Sequence, residues 1–463
     1  MIVAGRSGYV TVMYGQRRAT ESPMPLHLAA GQRLDNINFN LVRGGVIAGR
    51  ITDELGESVA GIDVSVLRYY RVNGRLTLLP GNLSQLSDST DDLGRFRIFG
   101  LPAGDYVVSA GTNRFNQHGV ASWGGNEDRV RTYFPGTPTL SEAQHVRVDA
   151  GEEITSVNFA LVAAQPTTIS GTIIDSSGQT VTGGHIMVEE PGNLLGFGSG
   201  TSVDPDGTFT LKNLSPGNYV LHVNVGDDDR ESATVQVSVA SEDIEDLTIV
   251  TSRPATIVGQ LLFESEPTQA VRPGDFQFMA VPAGRTSFFP GGYVLVKDDW
   301  TFEGRVREGP VLVRAAALPE GWMLKAVLHA GADVTDRGIE FRPGEHLDSV
   351  QVLLTSRISS VQGEVTDRAG KRVDNYTVVV FADDPDLWGS MSRHLFAGRP
   401  SQQGRYEITK LPPGHYLAAA VAYLDDGSHS DREYLERLRA YATAFEIREG
   451  ERRELNLQLV RMQ

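Results

Sequence analysis

Apolar and polar residues alternate along short stretches of this chain, and the stretches return in a fixed order. In DPDGTFTLKNLSPGNYVL, from Asp204 to Leu221, Phe209 and Leu211 fall on one side of an extended segment, with Thr208, Thr210 and Lys212 on the other. A turn ending in Gly207 precedes the segment, and a second turn at Gly217 leads into a strand opened by Tyr219. Close copies stand at DDLGRFRIFGLPAGDYVV from Asp91 and SQQGRYEITKLPPGHYLA from Ser401. The copies align Gly94, Gly207 and Gly404, then Phe96, Phe209 and Tyr406, then Gly104, Gly217 and Gly414, and finally Tyr106, Tyr219 and Tyr416. Period two predicts strands, and recurrence predicts a chain of similar units. The six aligned rings are expected in the cores.

Other stretches recur around these centres. Four heads align, from Val46, Thr168, Thr256 and Ser360, each with a glycine inside a strand: Gly49, Gly171, Gly259 and Gly363. Three continue into an Asp-x-x-Gly turn (Asp53 to Gly56, Asp175 to Gly178, Asp367 to Gly370), where the carboxylate can accept from turn amides and glycine supplies a positive φ. Five tails align, from Pro25, His145, Val235, Ile339 and Phe445, ending in strands such as Ile37, Phe39, Leu41. Five tails against four heads make residues 1–42 the C-terminal fragment of a truncated module whose start is expected upstream of Met1. Modules are then expected at 43–164, 165–252, 253–357 and 358–463, with connectors short enough to favour a semi-rigid row. The third departs most, with Asp299-Trp300-Thr301-Phe302 in place of the glycine turn. Trp300 and Trp322 are expected in its core. One short helix is expected near 430–442, opened by a capping box of Ser430 and Glu433, with Tyr434, Leu435, Leu438 and Tyr441 as its apolar stripe.

Composition narrows the class. The 463 residues exceed one core, and 50 Gly with 22 Pro suit many turns between short strands. A net charge of −16 argues against nucleic acid as a partner. The absence of cysteine excludes disulfides, thiolate nucleophiles and Cys-ligated metals. No apolar run is long enough to span a bilayer, and the N-terminus lacks the pattern of a signal peptide.

With its heads G-x-[IV]-x-D-x-x-G, centres D-x-x-G-x-[FY] and turns L-[PS]-[AP]-G-x-Y, the chain resembles the carboxypeptidase regulatory-like domain. The resemblance implies an all-β protein: a tandem array of transthyretin-like (Ig-like, prealbumin-type) β-sandwich modules, akin to starch-binding-like domains. It also implies an extracytoplasmic setting (periplasmic, cell surface or secreted), often in bacteria, and brings no catalytic residue.

Candidate chemistry is sparse. Asp204 and Asp206, together with Asp91, Asp92 and the run Asp227 to Asp229, offer carboxylates to Ca²⁺, although a hairpin turn accounts for them equally. Trp123 in a glycine-rich loop and Trp388 beside Asp383, Asp384 and Asp386 are the candidate sugar-stacking platforms. No GxSxG, HExxH or P-loop is present, and Glu189 and Glu190 point to opposite faces of a strand. The chain is therefore expected to be no enzyme, to need no cofactor, and to act as a structural spacer or adhesion surface toward glycans or other surface proteins. A carbohydrate-binding protein and an accessory segment of a larger exported enzyme or outer-membrane receptor are the alternatives.

Overall fold

The computed structural model describes residues 2–26, 28–35, 37–72, 75–80, 87–111, 114–115, 121–122, 131–162, 167–190, 199–226, 231–240, 242–264, 271–283, 292–389 and 391–461. It is a tandem array of β-sandwich modules with large buried clusters at 47–161, 169–249, 255–354 and 361–457.

Each module is closed by the same pairing. Its head strand lies parallel to its tail and antiparallel to the strand carrying the first aligned aromatic. Thus Thr167–Ile174 runs parallel to Ile244–Val250 and antiparallel to Thr208–Leu214. Ala255–Phe263 does the same with His346–Thr355 and Thr301–Val306, and Ser360–Thr366 with Leu457–Val460 and Arg405–Thr409. In the first module Gly45–Thr52 pairs with Phe159–Ala160 and Arg95–Leu101. The opposing sheet of the second module orders Ser199–Val203, Gly184–Glu189, Gly217–Val225 and Glu231–Val239, all antiparallel.

The head glycines are demanded by this pairing. A Cβ on Gly49, Gly171, Gly259 or Gly363 would lie 1.8, 1.9, 1.9 or 2.1 Å from the carbonyl oxygen of Val157, Leu247, Val350 or Leu455 in the tail. Across the antiparallel edge each glycine faces the first aromatic: Phe96, Phe209, Phe302 or Tyr406. The ring covers backbone that the missing side chain leaves bare. The second aromatic locks the following turn: the hydroxyls of Tyr219 and Tyr416 donate to the carbonyls of Ser215 and Pro412 at 2.8 and 2.9 Å, and that of Tyr106 to Pro102. Phe96, Tyr106, Phe209, Tyr219, Tyr406 and Tyr416 are all buried.

The third module keeps this plan with other residues. Trp300 takes the place of the turn glycine with φ 64°, against 83° for Gly207, and its amide bonds Lys297 O at 3.0 Å as Gly207 bonds Asp204 O at 2.9 Å. Left-handed backbone costs an L residue roughly 1–2 kcal/mol. Burial offsets this, since the half-buried indole packs edge-on to Phe263 at 4.9 Å and Phe276 at 5.7 Å, beside the buried Trp322. Tyr293–Val296 pairs with Thr301–Val306, so the strands of both faces are hydrogen-bonded into one nine-stranded sheet, as eight strands are in the fourth module.

The helix of the last module spans Arg432–Arg439 and is shorter than the sequence suggests. Its cap is Asp431, which accepts from Glu433 N at 3.1 Å; Ser430 instead closes the 3₁₀ turn Ser428–Ser430. A carboxylate at the cap takes the orphan amide that the expected serine would have taken. Leu435 and Leu438 are buried, while Tyr441 is half exposed and lies outside the packed stripe.

Gly171→Ala is expected to destabilise the second module by about 1–3 kcal/mol through overpacking against Leu247 O, measured by urea unfolding with hydrogen-exchange readout. Gly183→Ala, where a Cβ meets nothing within 4 Å, should stay within about 0.5 kcal/mol of the parent. Tyr219→Ala should cost about 3–5 kcal/mol; a loss below about 1 kcal/mol would contradict its place in the core.

Candidate functional site

The residues singled out by sequence do not converge. Trp388 is no sugar platform. It is 4% exposed, its Nε1 donates to Ala382 O at 2.7 Å, and its ring packs against Phe381 at 5.5 Å. The turn Pro385–Leu387, capped by Asp384, carries the indole back onto the sandwich, so the neighbouring aspartates mark a turn and not an exposed ring. Trp123 and Asp227 to Asp229 lie outside the described residues.

Asp206 spends Oδ1 on the amide and hydroxyl of Thr208 at 3.0 and 2.7 Å, and the Thr208 hydroxyl and amide hold its carboxyl below the usual range. Asp204 gives its backbone carbonyl to Gly207 and lines a cleft of about 530 Å³ with Thr201, Thr210, Lys212 and Leu214. Asp91 likewise accepts from Leu93 N and Arg95 N at 2.9 and 2.8 Å. Among the described residues no three His, Asp or Glu side chains are gathered as a metal would need.

What the structure does bring together is buried charge where modules meet. Arg393 of the fourth module reaches Asp336 of the third through Nε at 3.1 Å and Nη2 at 3.1 Å, and its Nη1 donates to Leu324 O and Lys325 O at 3.2 and 2.9 Å. His394 Nε2 lies 3.0 Å from the same carboxylate, and His394 Nδ1 lies 2.9 Å from the Tyr416 hydroxyl. Arg314, 7% exposed, bonds Met391 O at 2.9 Å and Thr335 O at 2.7 Å, and stands 3.6 Å from Asp336. Burial alone would raise the Asp336 carboxyl, but the hydrogen bonds from His394 and Arg393 outweigh it and hold the group well below the carboxylate range. Burial brings the Arg314 guanidinium down to about 10, against the pull of Asp336. Beside this cluster, Lys325 Nζ bonds Glu264 of its own module and, at 2.8 Å, Glu449 of the next.

A second joint closes the chain on itself. Glu21 and Arg399 form an ion pair with both side chains 1% exposed. Arg399 also bonds Asn375 Oδ1 at 2.8 Å and Gly15 O at 3.2 Å, while Thr20 Oγ1 meets the Tyr423 hydroxyl at 2.6 Å. Arg71 of the first module pairs with Asp431 of the fourth at 2.8 Å. These contacts overturn the expected row: the N-terminal segment and the first module lie against the last. Short connectors permit either shape, and the contacts between non-repeating side chains decide it.

Sequence reading missed these residues because none recurs between modules. The available signal was a charge inside an apolar strand, as with Arg314 in GPVLVRAAA, Gly309–Ala317.

The class is thus a tandem β-sandwich protein with ion pairs set into its joints. Residues 168–252 match the carboxypeptidase regulatory-like domain family, which covers the second module. No curated protein matches the chain. Solved structures similar to it include the TIE protein of Bacillus anthracis (12% identity, 92% of this chain and 75% of that one, TM-score 0.18). The major pilin subunit BcpA of Bacillus cereus is similar at 8% identity over 63% of this chain and 99% of that one, TM-score 0.17. Two B repeat units of the Staphylococcus aureus collagen binding protein are similar at 12% identity over 82% and 93%, TM-score 0.16. Scores this low carry no argument about what this chain does.

Glu21→Ala should leave Arg399 buried and unpaired and cost about 3–5 kcal/mol in docking of the N-terminal segment. Limited proteolysis is expected to cut within residues 13–24 in the variant while sparing the parent.

Proposed function

We propose that this chain is a non-catalytic structural protein of the extracytoplasmic space, which holds its β-sandwiches in one fixed arrangement and presents their outer faces to other surface proteins. The observation that carries the reading is the placement of five charged side chains that are largely removed from solvent. Arg314, Arg393, Asp336, Glu21 and Arg399 each bond across a joint or beside one. Groups that in an enzyme would be aimed into a cleft are used here to fix one module on the next. The modules that this reading requires are divided at 43–164, 165–252, 253–357 and 358–463. A second reading, an accessory segment of a larger exported polypeptide, is favoured by the regulatory-like family match over 168–252.

Pulling the chain from its two ends in single-molecule force spectroscopy separates the structural reading from a loose tether. The expected record begins with rupture of the joints, followed by module unfolding steps of roughly 30 nm each, from about 3.3–3.6 Å per extended residue. A smooth extension without a first rupture would contradict a fixed arrangement. Fractionation of the source cells with an antibody to the chain tests the location, and signal confined to the cytoplasm would overturn it.

A further inference from the structure

We propose that the open edge of the second module takes up an extended segment of another protein, which adds as a strand to Thr208–Leu214; this rests on the reading that the chain meets other surface proteins, and names the place. The hairpin around the turn glycine closes with the same rung in all four modules. Asp91 N donates to Arg95 O at 2.9 Å, Asp204 N to Thr208 O at 2.9 Å, Lys297 N to Thr301 O at 2.7 Å and Ser401 N to Arg405 O at 2.7 Å. At the next rung the modules part. In the third, Leu295 pairs with Glu303 and the two strands stay hydrogen-bonded. In the first, the amide of Arg97, at the place of Glu303, donates to the Asp88 carboxylate at 2.8 Å. In the fourth, the Ile408 side chain reaches across, 2.9 Å from where a Cβ on Gly398 would be. In the second, Ser199–Val203 pairs with Gly184–Glu189 and Thr208–Leu214 pairs with Thr167–Ile174, but among the described residues the two do not pair with each other. The cleft of about 530 Å³ lies between them.

This edge has backbone groups to offer. Thr208 turns its carbonyl to Asp204 and away from Thr167–Ile174, so by the alternation of a strand the N–H and C=O of Thr210 and Lys212 face the cleft. Ser202, two residues before Asp204, faces its own groups the same way from the opposite bank. A row of unpaired backbone groups is a template for a further strand. Buried Val188, Leu211 and Leu214 form the floor of the cleft. In an added strand every second side chain would point down onto that floor, and the others would lie in water beside Thr210 and Lys212. Charge then selects the sequence. Asp204 stands at the turn end of the cleft and Lys212 toward the other, and neither charged group has a hydrogen bond or ion pair among the described residues. A segment running antiparallel to Thr208–Leu214 enters beside Lys212 and leaves beside Asp204, so it reads acidic, apolar, polar, apolar, basic. A lysine on an edge repels a basic strand, and here it admits an acidic one.

The test adds the acetylated and amidated peptide Glu-Val-Thr-Val-Lys to the full chain and follows backbone amides by NMR and hydrogen exchange. The amides of Ser202, Thr210 and Lys212 should shift, saturate by about 1 mM peptide and exchange more slowly. Those of Phe209 and Leu211, already turned to Thr167–Ile174, should keep their exchange rates. Methylating the peptide nitrogens that face the edge leaves the protein untouched and should weaken binding roughly twofold to tenfold for each hydrogen bond lost. Lys212→Glu changes an exposed side chain and should reverse the preference, favouring Lys-Val-Thr-Val-Lys over the first peptide. Absence of saturable shifts at Thr210 and Lys212, or binding indifferent to methylation, overturns the proposal. So do shifts at these amides with soluble oligosaccharides and none with the peptide, which would make the cleft a glycan site. Failure here leaves the rupture record and the location of the chain as they are, because neither depends on this edge.

Discussion

The rest of the structure depends on the parallel contact between the first and last strands of each module. Parallel neighbours share a direction, so a chain that enters at one end of the sandwich along its head leaves at the opposite end along its tail. Modules can then follow one another through connectors of a few residues. The contact is also the tightest point of the fold. A tail carbonyl, from Val157, Leu247, Val350 or Leu455, sits where any Cβ on the facing head residue would be. Only glycine fits, and glycine leaves a gap that the aromatic across the antiparallel edge fills. One steric requirement therefore explains two of the recurring residue types.

This explains which parts of the fold could be read from sequence. A constraint met in the same way in successive modules leaves the same letters at the same spacing, and the turn glycines, the two aromatics and the Asp-x-x-Gly reversals were legible for that reason. Where another residue meets the constraint, the letters disappear while the geometry stays. Trp300 does so in the third module, where aromatic packing holds a left-handed backbone that glycine would adopt freely. Trp388 failed in the opposite sense. Three nearby aspartates gave its surroundings the composition of an exposed loop, yet a single 3₁₀ turn is enough to reverse the direction of a side chain.

The joints were not legible, because nothing about them repeats. Arg393, Asp336, Arg399 and Glu21 occur once each in the arrangement, and their partners are up to hundreds of residues away in sequence. The periodic argument assigns each module a core but is silent on how cores face one another. A closed chain and an open row have the same heads, centres and tails. They differ only in a handful of polar side chains.

That these side chains are charged determines how the arrangement behaves. Desolvating an ion pair consumes much of what its attraction returns, so Glu21–Arg399 and Asp336–Arg393 add less to stability than apolar contacts of similar size could. Half-made, however, such a contact leaves a buried charge without its partner, which is far worse than full separation. An apolar interface can slide and still bury area; a guanidinium that donates to one carboxylate and two carbonyls, as Arg393 does, cannot. The modules are therefore either seated in one orientation or apart. At the joint between the third and fourth modules the carboxyl of Asp336, held low by its hydrogen bonds, sets an acid limit: its contribution is present above the ordinary carboxylate range and is lost as pH falls through the depressed value.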